Sequence, residues 1–143
     1  QWSDVLDINL KTLFTVTQPV FNKMLEQKSG RIVCISSVNG IKGQFGQANY
    51  AATKAGMIGF IKSLALEGAR SGVTANVVAP GYTATPMVTA MREDVIRSIE
   101  AQIPAQRLAT PEEIAAAVMY LVSDQAGYVT GETLSVTGGL YMQ

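Results

Sequence analysis

The sequence predicts an α/β fold on a parallel sheet, three strands with flanking helices. Three observations point there. Helical and strand-like segments alternate along the whole chain, the strands "RIVCISS" and "VTANVVAP" are nearly continuous buried-type runs, and each strand is followed by a polar or glycine-bearing segment. Strands with apolar residues on both faces belong to sheets covered on both sides, the habit of parallel sheets whose crossovers are helices. At 143 residues the chain is expected to be one domain with a core of its own.

Taken in order, the first element is a helix over residues 3–27. Ser3 is its expected N-cap, and Val5, Ile8, Leu13, Phe14, Val16, Val20 and Phe21 supply an apolar face at helical spacing. Ser29 and Gly30 stop it, and "RIVCISS" follows as a buried strand. Residues 38–48, with three glycines and two glutamines, read as a loop. A second long helix covers residues 49–69 and stops at Ser71–Gly72. "VTANVVAP" is the next strand, closed by the Pro80–Gly81 turn. Residues 83–104 carry one or two short helices on a flap. "TPEEIAAAVMYLVS" opens with Thr110 as cap, Pro111 in the first turn and Glu113 completing a capping box. The last strand is "TLSVTG", after Gly131. Ligands of such sheets sit beyond the carboxyl ends of the strands. The segments after Ser36, Ala79 and Val136 therefore mark the expected site.

Composition narrows the chemistry. Eleven acidic and eleven basic residues balance to zero, without a basic run, which argues against a nucleic-acid surface. There is no histidine, and Cys34 is the single cysteine. A histidine–cysteine metal site is excluded, as are Ser-His-Asp and Cys-His mechanisms. A lone cysteine forms no internal disulfide and points to a reducing compartment, the cytoplasm; inside a buried strand, it reads as core. Apolar runs such as "AAAVMYLV" are too short to span a bilayer, so no membrane is expected. The chain opens at Gln1 without an initiator methionine and reads as the continuation of a longer polypeptide.

Tyr50 and Lys54 stand four apart in the second helix, on one face and about 6 Å of rise from each other. An ammonium near a phenol favours the phenolate, and a tyrosine so tuned can exchange a proton near neutral pH, as hydride transfer to a carbonyl requires. Such a pair also arises by chance in roughly one chain of this composition in five. Ser37, at the end of a strand on the ligand edge, could hydrogen-bond the same substrate oxygen. Ser36 reads instead as a turn former. Asn9 lies inside a helix, where asparagine is mildly unfavourable and is ordinarily exposed or locally bonded.

Asn9, "ISS" at 35–37, "YAATKAG" at 50–56, "NVVAPGYTAT" at 76–85 and "TGETLSVTGG" at 130–139 together resemble the short-chain dehydrogenase/reductase family, in its order and spacing, across essentially the whole chain. The resemblance implies a tetrad of Asn9, Ser37, Tyr50 and Lys54. Tyr50 would be the acid in reduction and the base in oxidation, and Ser37 would polarise the carbonyl. Lys54 would favour the Tyr50 phenolate and bind the nicotinamide ribose, and Asn9 would hold a relay water. Pro80, Gly81, Thr83 and Thr85 match the segment beside the nicotinamide carboxamide. Thr83 stands where the family more often has an aliphatic residue, and Pro86 and Thr137 where it more often has aspartate.

Within the family, "SSVNGIKGQFGQANY", "PGYTATPMV", "REDV", "IPAQRLATPEEIA" and "GGLYM" look most like acetoacetyl-CoA reductases. The implied substrate is an acyl-CoA or acyl-carrier-protein thioester, the implied cofactor NADP(H) rather than NAD(H), and the implied assembly a homodimer or homotetramer through the two long helices and the last strand. Gln44, Phe45, Gln47 and Tyr82 sit on the loops flanking Tyr50 and could line a short acyl pocket or only pack the loops; Phe45 could equally plug the core. The family's T-G-x-x-x-G-x-G loop and N-N-A-G strand are not in this sequence. The chain is thus expected to be the C-terminal half of a Rossmann-like, doubly wound sheet, holding the nicotinamide end of the site without the pyrophosphate end. The alternatives are a 3-oxoacyl-acyl-carrier-protein reductase, another short-chain alcohol or ketone dehydrogenase, or a non-catalytic fragment that only self-associates.

Overall fold

The computed structural model describes residues 2–142. The chain begins as one helical rod of three consecutive parts, α1 (Trp2–Leu6), a π-helical turn at Asp7–Lys11, and α2 (Thr12–Gln27). Leu6, Lys11 and Thr12 all keep right-handed helical dihedrals, so the π turn widens the rod without breaking it. Ser3 lies within α1 and does not cap it, because Trp2 before it is already helical. The rod ends at Gln27, as expected, although Lys28 rather than Ser29–Gly30 makes the stop. Lys28 adopts the left-handed conformation, and the N–H groups of Lys28 and Ser29 return to the carbonyls of Leu25 and Met24.

Strand β1 (Gly30–Ile35) follows, then a short helix α3 (Asn39–Lys42) inside the segment expected to be loop. The long helix α4 (Ala48–Gly68) and a 3₁₀ turn at Ala69–Ser71 lead to β2 (Val73–Pro80). The flap carries two short helices, α5 (Pro86–Thr89) and α6 (Glu93–Glu100). Helix α7 (Pro111–Val122) starts with the expected capping box: Glu113 N–H donates to Thr110 Oγ1, and Thr110 N–H donates to Glu113 Oε2 at 2.8 Å. A 3₁₀ turn at Asp124–Ala126 precedes β3 (Thr133–Val136).

The three strands form one parallel sheet in the order β1-β2-β3, with Gly30 opposite Val73 and Val77 opposite Thr133. Residues Val73 to Ala79 of β2 are all buried. Val73, Ala75 and Val77 join Cys34 of β1, Phe21 of α2, and Met57, Ile61, Leu64 and Ala65 of α4 in the core on one face. Thr74, Asn76 and Val78 alternate with them and are buried on the other face, and α7 packs against all three strands. Burying a side chain such as Ile61, which has no exposed surface, contributes about 1.5–3 kcal/mol.

The expected apolar face of the first helix is only partly used. Phe21 is buried and Val5 and Leu13 are half-buried, whereas Ile8, Phe14, Val16 and Val20 are exposed, Ile8 to 72%. Helical spacing brought these residues to one side of the rod, but α4 covers only part of that side. Among the described residues, no helix is long and apolar enough to cross a membrane.

Candidate active site

The main chain leaving β1 and β3 is tied to the end of β2. Beyond Ile35 the ladder continues, with Ser36 N–H donating to Val78 O at 2.8 Å and Val38 N–H to Pro80 O at 2.9 Å. On the other side, Gly81 N–H donates to Val136 O at 2.9 Å. A Cβ on Gly81 would stand 3.1 Å from Thr137 Cα, so the bare turn lets the ends of β2 and β3 close on each other. These exits border a cleft of about 560 Å³. Its walls are Ser37 and Asn39 after β1, Gln47 and Tyr50 at the start of α4, Gly81, Tyr82, Thr83 and Thr85 after β2, and Met87 and Val88 of α5.

Ser37 Oγ accepts Asn39 N–H at 3.1 Å, which occupies one lone pair and leaves the hydroxyl proton free to point elsewhere. Tyr50 lies in the first turn of α4, where its N–H is held by Asn49 Oδ1 at 2.8 Å. One turn on, Lys54 Nζ stands 5.6 Å from the centre of the Tyr50 ring and donates to Ile35 O at 3.1 Å. Burial holds the Lys54 ammonium below the ordinary lysine range, partly offset by the neighbouring Cys34. Burial also pushes the Cys34 thiol up.

The arrangement therefore combines a phenol, a hydroxyl with a free proton and a partly desolvated ammonium beside an open cleft. A family model described as enoyl-(acyl carrier protein) reductase matches residues 1–141 of the chain. The chain belongs to the short-chain dehydrogenase/reductase family. It is 82% identical over 142 residues to the acetoacetyl-CoA reductase of Acinetobacter sp. (strain RA3849), covering 99% of this chain and 57% of that protein. It is 57% identical to nodulation protein G of Azospirillum brasilense, covering 100% of this chain and 58% of the relative. It is 51% identical to the 3-oxoacyl-[acyl-carrier-protein] reductase of Escherichia coli (strain K12), covering 99% and 58%. The chain thus spans rather more than half the length of these curated relatives.

In this member of the short-chain dehydrogenase/reductase family, the cleft brings together Ser37, Gln47, Tyr50, Gly81, Tyr82, Thr83 and Thr85 from the positions singled out in the sequence. Lys54 stands one turn behind Tyr50, and Pro80 lies at the end of β2 beneath Gly81. Thr83 Oγ1 donates to Gly81 O at 3.3 Å, and a bridge between Thr83 and Ala109 fastens the base of the flap. Asn9 sits in the π turn, where its Nδ2 donates to Val5 O at 2.9 Å, a local bond of the kind its helical position suggests. Gln44 accepts from Lys42 Nζ at 3.0 Å and is not in the cleft wall. Phe45 is fully exposed, so it plugs no core: the chain turns outward between Gly43 and Gly46, both with positive φ.

Two kinds of residue escaped the sequence. Asn39, Met87 and Val88 line the cleft, and Asn39 Nδ2 donates to Gln47 Oε1 at 3.1 Å within its wall. The signal available for Asn39 was its place two residues after Ser37. Ser36, expected to form a turn, is instead buried and donates its hydroxyl to Lys54 O at 2.8 Å. The β2 ladder holds its backbone extended, which sends the side chain to α4.

Proposed function

We propose that this chain is the C-terminal, catalytic part of a nicotinamide-dependent oxidoreductase that reduces a 3-oxoacyl thioester, acetoacetyl-CoA foremost, to the 3-hydroxyacyl thioester. The observation that carries this is the single cleft in which Ser37 and Tyr50 face Gly81, Thr83 and Thr85. The similarity to acetoacetyl-CoA reductases, at 82% and 55% identity, supports the substrate.

The residues fit the nicotinamide end of such a cofactor. Gly81 leaves the main chain of its turn bare at the cleft, and the hydroxyl-bearing Thr83 and Thr85 stand beside it. An ammonium has three donors, and Ile35 O takes one from Lys54, leaving two for a ribose diol. When bound, the cofactor supplies the hydride. Thr83 and Thr85 would orient the carboxamide and Lys54 the ribose. Ser37, with its lone pair engaged by Asn39, donates its proton to the substrate oxygen, and Tyr50 delivers the proton that completes the alcohol. Asn9 would hold the water through which Lys54 exchanges protons with solvent. Gln47 and Tyr82, with Met87 and Val88, offer a mixed polar and apolar wall for a short acyl group. Gln44 and Phe45 would join it only by moving inward.

NADP(H) is the proposed cofactor in preference to NAD(H), and the cytoplasm the proposed location, in keeping with the unpaired Cys34. The exposed apolar residues Ile8, Phe14, Val16, Val20 and Leu66 favour a homodimer or homotetramer built on the two long helices. They also keep in play a second reading, a chain whose role is self-association alone. The 51% identity to 3-oxoacyl-[acyl-carrier-protein] reductases keeps that thioester as the alternative substrate.

The test is the full-length gene product assayed for NADPH and NADH oxidation with acetoacetyl-CoA, a 3-oxoacyl-acyl-carrier-protein and simple ketones. Preference for acetoacetyl-CoA with NADPH is expected. Oxidation with simple ketones alone would sink the thioester proposal in favour of another short-chain alcohol or ketone dehydrogenase, and no oxidation with any substrate would leave self-association.

A further inference from the structure

One short segment touches Lys54 three times. Ile35 O accepts its ammonium at 3.1 Å, and Ser36 Oγ donates to its carbonyl at 2.8 Å. The third contact is at Gly40, where a Cβ would lie 2.7 Å from the Lys54 carbonyl carbon and 2.8 Å from its Cβ. No ordinary side chain tolerates that approach, so Gly40 is what lets α3 lie directly on α4. The segment is itself fixed, since Ser36 and Val38 both donate to the end of β2.

The rest of the α4 contact with the sheet is apolar, through Met57, Ile61, Leu64 and Ala65. Apolar burial is non-directional, so it sets the distance of the helix from the sheet more firmly than its position along the sheet. The Ser36 bond is directional. Lys54 lies mid-helix, where its carbonyl has a helical N–H partner, so Ser36 is not needed to satisfy that carbonyl. What the bond adds is register. Ser36 is 4% exposed and does not line the cleft, so it acts on the reaction only through what it holds.

We propose that Ser36 is a positioning residue, which with the bare backbone of Gly40 sets the register of α4 on the end of β1 and so places Tyr50 and Lys54 opposite Ser37. This rests on the oxidoreductase reading of the same cleft. A misplacement of about 1 Å can cost up to ~10²-fold in rate, and loss of one of three contacts falls below that.

The experiment uses the full-length protein with acetoacetyl-CoA and NADPH. Ser36→Ala lowers kcat about tenfold with KM within about twofold, and Gly40→Ala does the same. Ser36→Cys, which keeps the branching at slightly larger volume but lacks a strong donor, behaves like Ser36→Ala. In a Tyr50→Phe/Lys54→Ala background, Ser36→Ala costs less than about twofold, because both groups it positions are gone. Independently of turnover, the ¹⁵N-detected titration of Lys54 moves toward the ordinary lysine range in Ser36→Ala as the amine leaves its buried seat. An equal loss in both backgrounds, a Ser36→Cys of wild-type rate, or an unmoved Lys54 titration would each overturn the proposal. Activity indifferent to Tyr50→Phe would instead overturn the reading of the cleft, while the Lys54 titration still decides the role of Ser36.

Discussion

Lys54 Nζ lies 5.6 Å from the centre of the Tyr50 ring, one helical turn further along α4. An ammonium at that distance is attracted to the ring as well as to any charge on its oxygen. Removing the hydroxyl alone therefore separates chemistry from structure. Tyr50→Phe should keep the contact and a thermal midpoint within about 2 °C of wild type, while kcat for acetoacetyl-CoA reduction falls by about 10²–10⁴. Steady-state kinetics and a melting curve on one preparation check both halves. A rate above a tenth of wild type removes Tyr50 from the proposed role.

The start of α7 should respond to acid. Glu113 accepts from both Arg107 amines, at 2.6 and 2.8 Å, and from Thr110 N–H, and the Arg107 guanidinium is the main cause that holds its carboxyl down to about 2 from an ordinary 4.5. A carboxylate with a depressed folded value stabilises fully above the unfolded value and loses that contribution as pH falls toward the folded one. The thermal midpoints of wild type and Glu113→Gln should thus differ above pH 4.5 and converge as pH approaches 2. Both side chains are solvent-facing, so added salt should shrink the difference. Parallel curves over the whole range would show that the ion pair contributes nothing to folding.

Asn76 holds the approach to β3. Fully buried, it donates from Nδ2 to Val129 O at 2.8 Å and accepts Glu132 N–H on Oδ1 at 3.0 Å. Asn76→Ala leaves both main-chain groups without these partners, at a cost of about 2–4 kcal/mol. Asn76→Asp keeps the acceptor alone and should also destabilise, because it buries a charge. Urea denaturation measures both. A loss under about 0.5 kcal/mol for Asn76→Ala would show that water or local rearrangement replaces the two bonds.

The uncovered helix faces should govern assembly. Val16 is 61% and Leu66 83% exposed. If a second copy covers them, Val16→Glu and Leu66→Glu lower the molecular mass seen by light scattering and leave the far-ultraviolet circular dichroism unchanged. A wild-type protein that already runs as a monomer would reject the assembly proposal.

The strands, their order along the chain and the α7 cap were legible because each depends on neighbouring residues: β-branched runs, turn glycines, and a threonine three positions before a glutamate. Elements that depend on distant partners were not. The Ser36 hydroxyl finds Lys54 eighteen residues away, and nothing beside it announces that. Helix α3 was hidden because Gly40 argues against a helix locally, whereas its missing side chain is what α4 requires. Ile8 and Val16 have the spacing of core residues, and spacing does not say whether the covering surface belongs to the same chain. Helix geometry put Tyr50 and Lys54 on one face of α4, but Asn39, Met87 and Val88 entered the cleft only through tertiary packing.

Strand β2 pairs with β1 on one side and β3 on the other, and the segments bearing Ser37, Gly81 and Thr137 are all anchored at its end. Both pairings join stretches distant along the chain, which makes them slow to form relative to helices. Every wall of the cleft comes from segments after β1 and β2, so the site exists only once the β1–α4–β2 crossover has closed. Its assembly therefore waits on one slow parallel pairing rather than on any helix alone. A nascent molecule carries its helices, with their uncovered apolar faces, before it carries a site.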